Sequence, residues 1–330
     1  MKVSLIITAY KEADTIKKTI ETLADPNYSG YTGDFELIVA APDKETKDSA
    51  YEVVKRLNIK NFTYIQDPGR KFGKGKPTAL NLCIEKASGD ILVFTDGDVF
   101  LEKDAVKNLI TTLITENATL VSGRPKSMEP KNKRMSYLGH LLADAAHHKR
   151  TIELTPNPQG KSTKIVSKIN FFPVSGYLWA IRKDFLDILP KHKVDFGIGI
   201  FPENTLVDDA YISYVVHNNG GKIRYSPNAI VYVKYANNLK DYMAQKKRST
   251  GGYVQLWEFG VVKPETKARS FKKELEYFWF PIKYARNFKE LLWSLSLYPI
   301  RLWLWLMIYW ERRVLKKDFI KTWTRIESTK

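Results

Sequence analysis

Short apolar runs alternate with amphipathic stretches through the first hundred residues. Val3 to Thr8, Phe35 to Ala40, Phe62 to Ile65 and Ile91 to Thr95 read as strands, while Asp14 to Ala24, Ser49 to Leu57 and Pro77 to Ala87 place apolar positions at helical spacing between them. Single helices between successive strands are crossover units, so the order predicts a parallel sheet with ligands outside the carboxyl ends of its strands. Three acidic corners stand at such ends: Tyr10-Lys11-Glu12, Ala41-Pro42-Asp43 and Asp96-Gly97-Asp98. They are expected to converge on one crevice. Beyond them, 104–116 and 135–150 read as helices, and 151–170, with Pro156, Pro158 and Gly160, reads as a polar, irregular excursion. No internal repeat or low-complexity segment interrupts the pattern.

From about residue 275 the pattern changes. Six of the eight tryptophans lie in the last 52 residues, and Leu291 to Trp310 is nearly all apolar. Its length is that of a membrane span, but Pro299 lacks an amide hydrogen and Arg301 is costly at a bilayer centre. Glu290, Ser294, Tyr298 and Arg301 share one helical face, which leaves a broad apolar face for a membrane interface; Pro299 is expected to start a second helix after a break. Arg312, Arg313, Lys316, Lys317 and Lys321 would then meet anionic headgroups. The competing reading is a helix packed on its own domain or on a partner.

Composition narrows the class. With 330 residues, 44% of them hydrophobic and 13% aromatic, the chain has ample material for a packed core and is no disordered protein. The net charge is +17, and residues 240–330 hold 20 Lys or Arg against 9 Asp or Glu, so most of the basic surplus belongs to the tail. One cysteine, Cys83, excludes an internal disulfide and a Cys-based zinc cluster; it reads as a small buried hydrophobe. The apolar stretch Val3 to Ala9 is too short for a leader and is followed at once by Tyr10-Lys11-Glu12, so a cytoplasmic location is expected.

The chemistry centres on carboxylates. Asp96-Gly97-Asp98 ends an apolar run, and paired carboxylates there suit a hard divalent cation, although Asp-Gly after a strand is also an ordinary turn. A diphosphate leaving group needs its growing charge neutralised; a metal on Asp98, with Asp96 near a ribose, would do so. Lys76 opens a helix, where its charge opposes the dipole unless an anion sits there, and Arg70, Lys71 and Lys74 add positive charge nearby, Lys74 reading as a solvated turn residue. Asp208-Asp209 stands at the start of the helix Ala210 to His217 after Phe201-Pro202-Glu203-Asn204; Asp208 reads equally as an N-cap. His147, His148 and His217 read as packing or surface residues.

Four segments, in order, resemble the inverting family 2 glycosyltransferases of GT-A fold over roughly residues 1 to 250. They are Val3-Ser4-Leu5-Ile6-Ile7-Thr8-Ala9-Tyr10-Lys11-Glu12, with Lys11 where Asn is usual; Gly75-Lys76-Pro77-Thr78-Ala79-Leu80-Asn81; Asp96-Gly97-Asp98; and Val207-Asp208-Asp209. Ala40-Ala41-Pro42-Asp43 departs from the family's Asp-Asp-x-Ser, and Pro173-Val174-Ser175-Gly176-Tyr177 is similar to its acceptor-side loop. The resemblance implies an α/β GT-A fold, a mostly parallel nucleotide-binding sheet flanked by helices, in a glycosyltransferase domain over 1–240, with 1–100 as the nucleotide-binding half and 101–240 as the acceptor half. The composition of the remainder adds a C-terminal amphipathic, membrane-facing tail: a basic, Trp-rich membrane-associating helical region over 241–330. The resemblance further implies Asp98 and Asp96 as ligands of Mg2+ or Mn2+, Asp209 as base beside Asp208, and Tyr10, Glu12, Asp43, Lys76 and Asp96 around a nucleotide-diphosphate sugar. Gln245 and Arg248 match part of a Gln-x-x-Arg-Trp motif and would serve the diphosphate or acceptor, but Ser249 replaces the Trp, which points away from long-chain polymerisation. The expected acceptor is lipid-linked or a saccharide, no nucleic acid is expected as partner, and the enzyme would sit peripherally on the cytoplasmic face of a membrane. The competing readings are a sugar nucleotidyltransferase, against which no Gly-rich loop follows the first strand, and a non-enzymatic basic binder of membrane or nucleic acid.

Overall fold

A computed structural model describes residues 1–68, 75–155, 171–195, 197–268 and 274–316. Arg70, Lys71, Lys74, Lys317, Lys321 and residues 156–170 of the polar excursion lie outside the described residues. The chain forms two compact units, one of Met1–Pro125 with Arg150–Val233 and one of Lys126–Lys149 with Lys234–Lys330.

The first unit is built on an eight-stranded sheet. β1 (Val3–Thr8) is buried along its whole length, as an apolar strand covered on both faces must be. It pairs in parallel with β2 (Phe35–Ala41) and β4 (Ile91–Asp96), and β2 pairs in parallel with β3 (Phe62–Gln66). The register sets Thr8 opposite both Ala40 and Asp96, so the three corners start at one level of the sheet. Helices α1 (Ile16–Ala24), α3 (Lys44–Arg56) and α4 (Lys76–Lys86) make the crossovers, with a single turn, α2 (Pro26–Ser29), after α1. Helix α3 begins five residues before the expected Ser49 because the Asp43 carboxylate accepts from the Thr46 amide at 3.0 Å and caps it.

The expected parallel order holds for β3-β2-β1-β4, and beyond β4 the sheet is mixed, with antiparallel pairings at β7 and β5. The full order is β3-β2-β1-β4-β7-β6-β10-β5, completed by β5 (Phe100–Leu101), β6 (Leu120–Ser127), β7 (Leu178–Arg182) and β10 (Ile223–Val233). β7 runs antiparallel to β4 and to β6. At this seam Phe94 and Trp179 are register partners whose rings stack with centroids 4.0 Å apart. Two more helices belong here: α5 (Ala105–Thr115), close to its expected bounds, and α7 (Asp208–Asn218). A small hairpin of β8 (His192–Val194) and β9 (Gly197–Gly199) precedes α7.

The second unit takes in most of α6 (Arg134–Leu154) as well as α8 (Leu239–Glu258) and the helix Phe288–Tyr309. That last helix runs unbroken through Pro299, contrary to the expected break. Proline removes one helical hydrogen bond at a cost of about 3 kcal/mol, which packing on both sides of it offsets. Leu297 is buried in a cluster with Tyr137, Leu138, Leu141 and Tyr242, and the Arg301 guanidinium bonds the Glu274 carboxylate through both Nε and Nη2. Trp305 Nε1 donates to the same carboxylate at 3.0 Å, and Ser294 Oγ meets Tyr137 OH at 2.8 Å. Ser294 and Arg301 are therefore turned into the unit. The opposite face, with Phe288, Leu292, Leu295, Leu302, Trp303 and Leu306, is exposed. His148 stacks on Phe280 at 5.5 Å, the packing role its position suggested.

Candidate active site

The corner after β4 depends on Gly97. A Cβ there would stand 2.6 Å from the Ala9 Cβ, so only glycine lets the loop close on the end of β1. The Gly97 amide donates to the Thr8 carbonyl at 3.0 Å, and its own carbonyl accepts from Thr15 Oγ1 at 2.9 Å. Thr19, fully buried on α1, donates to the Val99 carbonyl at 2.8 Å. Two threonines one helical turn apart thus hold the loop that presents Asp96 and Asp98. Neither threonine stands out in the sequence beyond their i, i+4 spacing, Thr15 at the N-cap of α1 and Thr19 on its buried face.

The other two corners are tied to each other and to this one. Lys11 N donates to Asp43 Oδ2 at 2.8 Å, and Asp43 Oδ1 accepts from Thr46 Oγ1 at 2.6 Å. Burial opposes the charge on Asp43, yet bonds from Thr46 and the Lys11 amide outweigh it and hold the carboxyl below its ordinary value. Lys11 sits at φ 57, a left-handed conformation that Asn tolerates better than Lys. Buried Glu12 donates its amide to Thr46 Oγ1 at 2.9 Å, and its Oε2 lies 3.2 Å from Thr15 Oγ1. Tyr10, between the strand end and Lys11, is half-buried.

Lys76 joins the end of β4 to the acid pair. Its Nζ lies 2.7 Å from Asp96 Oδ1 and 3.2 Å from Asp208 Oδ2, and all three side chains are mostly buried. Burial disfavours the ammonium, but Asp208 and Asp96 prevail and keep Lys76 protonated well above the ordinary lysine range. Asp208 is the first residue of α7, and Val207 stands at the N-cap position without a side-chain bond. The capping reading of Asp208 fails because its carboxylate is directed to Lys76.

Asp209 is held differently. Its Oδ2 accepts from the Gly176 amide at 2.9 Å and its Oδ1 from the Ala210 amide at 2.8 Å. Burial, and then the charge of Asp208, raise its proton affinity above that of an ordinary aspartate. Each carboxylate oxygen keeps a lone pair for another donor. Asn81 of α4, whose role the sequence left unassigned, makes two hydrogen bonds to the main chain of Phe201, in the loop that leads to α7. His217 packs its ring 4.7 Å from that of Phe171, and burial pushes the Cys83 thiol up. Gln245 and Arg248 lie half-buried on α8 of the second unit.

Among the described residues no group of three or more His, Cys, Asp or Glu side chains is arranged to hold a metal. The donor set nonetheless fits a hard divalent cation. Asp96 and Asp98 flank the loop end with oxygen ligands alone, and such an ion completes its shell with phosphate and water oxygens.

Residues 4–189 match the sequence model of a family described as Glycosyl transferase family 2. The chain is 25% identical over 282 residues to the probable glycosyltransferase YdaM of Bacillus subtilis, covering 84% of this chain and 62% of that protein. It is 23% identical over 309 residues to a poly-beta-1,6-N-acetyl-D-glucosamine synthase of Staphylococcus aureus, covering 92% of this chain and 64% of the synthase. The chain thus spans a little under two thirds of the length of these relatives. Among solved structures, the mannosyltransferase PcManGT of Pyrobaculum calidifontis, in complex with GDP-Man and Mn2+, superposes with a TM-score of 0.59 at 18% identity, covering 96% of this chain and 87% of that one. This likeness shows the fold, a GT-A-like mixed sheet flanked by helices.

The closeness of Gly176 to Asp209 yields a test. A Cβ at residue 176 would lie 3.2 Å from Asp209 Oδ2 and 3.3 Å from its Cγ, tighter than ordinary contact. Gly176→Ala is expected to destabilise the chain by about 1 kcal/mol, the low end for overpacking, in urea unfolding. An unchanged midpoint would show that the carboxylate yields freely.

Proposed function

This chain belongs to glycosyl transferase family 2, and from that premise we propose that it moves a sugar from a nucleotide-diphosphate donor to an acceptor hydroxyl, with inversion and with Mg2+ or Mn2+. The observation that carries the reading is the Lys76 ammonium set between Asp96 and Asp208. It joins the strand ends, where a diphosphate would lie, to the acid pair that would face the acceptor. Tyr10, Glu12 and Asp43 shape the nucleotide side, Lys76 offsets diphosphate charge, and Gln245 and Arg248 are assigned to the diphosphate or acceptor. Asp96 and Asp98 would hold the cation, which when bound supplies positive charge to the leaving diphosphate.

Inversion asks for one displacement and one base. Asp209 takes the proton of the acceptor hydroxyl as that oxygen bonds the anomeric carbon, and the bond to the diphosphate oxygen breaks with its electron pair leaving on the diphosphate. Its raised proton affinity suits the task, and its bonds to Gly176 and Ala210 fix its direction. Asp208 stays paired with Lys76 and sets the local charge.

Asp209→Asn is expected to lower transfer by about 100-fold or more while nucleoside diphosphate affinity stays within about twofold, the mark of a lost general base. Because the base must be ionised and its carboxyl is held above the ordinary aspartate value, wild-type transfer should fail on acidification at a pH above about 4. Loss of transfer in Asp208→Asn with Asp209→Asn nearly silent would reverse the assignment within the pair.

The second unit supports a membrane-proximal acceptor, lipid-linked or a saccharide, for an enzyme on the cytoplasmic face. The helix Phe288–Tyr309 has 22 residues, and an 18-residue stretch of it has a mean hydropathy of 1.4, so it is long and apolar enough to cross a membrane by length and composition. Its polar positions are satisfied within the unit, and its open face carries Phe288 at 74% and Trp303 at 64% exposure. An apolar face flanked by Lys289, Arg286 and Arg313 suits an anionic interface. Trp303→Glu combined with Leu306→Glu is expected to move the protein from anionic vesicles to the supernatant in a sedimentation assay without lowering its melting temperature. Undiminished vesicle binding would remove this face from membrane contact.

A further inference from the structure

The main chain of Phe201 is gripped at two points by one side chain. Asn81 Nδ2 donates to the Phe201 carbonyl at 2.8 Å, and the Phe201 amide donates to Asn81 Oδ1 at 2.9 Å. This is the pairing a neighbouring strand would give, made instead by an amide on α4. Only one amide orientation satisfies both partners, so the contact specifies asparagine rather than a polar residue in general. Close approach is possible because residue 199 is glycine; a Cβ there would fall 2.3 Å from Asn81 Nδ2.

The gripped loop leads to the acids. Phe201 is fully buried, and its ring lies 5.8 Å from that of Tyr211, two residues beyond Asp209 on α7. Between them Thr205 turns back, its hydroxyl donating to the Pro202 carbonyl at 2.7 Å. Helix α4 also begins with Lys76, whose ammonium meets Asp96 and Asp208. Five residues of helix rise about 7.5 Å, so one rigid rod carries a grip on the acid pair at its start and a grip on the preceding loop further along.

We infer that Asn81 is a positioning residue for transfer: by locking Phe201 to α4 it fixes Asp209 against the donor side, without itself touching donor or acceptor. This rests on the glycosyl-transfer reading above. In the full chain, Asn81→Asp keeps the acceptor for the Phe201 amide but sets a carboxylate against the Phe201 carbonyl, and Asn81→Ala removes both bonds. Both are expected to lower kcat by about tenfold or more while nucleoside diphosphate affinity, measured by calorimetry, stays within about twofold. Gly199→Ala should reproduce the loss by displacing the amide. In the Asn81→Ala background it should add less than about twofold, because the group it displaces is already gone.

A purely structural role would not give that pattern. The inference is overturned if wild-type and Asn81→Asp rates agree, if kcat and donor affinity fall together, or if the two substitutions multiply independently. Failure of both Asn81→Ala and Gly199→Ala to fold would assign the contact to stability and overturn it equally. A wild-type chain that transfers no sugar from any nucleotide donor would overturn the glycosyl-transfer reading itself, and this inference with it.

Discussion

Three carboxylates gather where the strand ends meet the start of α7, and charges of one sign cannot be buried so close without an answering cation. Lys76 is that cation, within 3.2 Å of Asp96 and Asp208 and raising its own proton affinity in doing so. The surrounding structure serves this placement. Gly97 lets the β4 loop close on β1 and present Asp96, Thr15 and Thr19 hold that loop, and the start of α4 brings the lysine in. An ammonium at the first turn of a helix opposes the dipole, and the two acids more than compensate for it.

The same charge balance separates the two neighbouring aspartates. Asp208 is neutralised by Lys76, whereas Asp209 is held by two backbone amides and pushed towards a higher proton affinity by burial and by Asp208. Two identical side chains, adjacent in sequence, thereby acquire different chemistry from where α7 begins. Had Asp208 capped the helix, the pair would have turned by one residue and Lys76 would face no second acid.

The parallel half of the sheet was legible in the sequence because each strand there is a continuous apolar run and each crossover helix has its own period. The mixed half was not. β6 contains Gly123 and Pro125, β7 is short, and the seam depends on the stacking of Phe94 on Trp179, a long-range contact that no local pattern announces. The acid and lysine positions were legible by type and order, and the resemblance set Asp209 apart from Asp208, but the contacts that hold the two apart, Lys76 for one and the Gly176 amide for the other, were not. At the C-terminus the polar stripe of the last helix was visible in the sequence, but the partners that receive it were not. Ser294 and Arg301 find Tyr137 and Glu274 inside their own unit, and those partners lie 157 and 27 residues away. Pro299 suggested a break that the packing around it overrides.

On the proposed function, the site beside Lys76 receives a nucleoside diphosphate, and calorimetric titration of the full chain with UDP and with GDP, each with Mn2+ or Mg2+, decides the matter. One of them is expected to bind in a metal-dependent way, and Lys76→Gln to weaken this binding by about tenfold or more, as expected for loss of a charge-assisted contact to phosphate. Binding of neither nucleotide, or equal affinity in a folded Lys76→Gln variant, would contradict it.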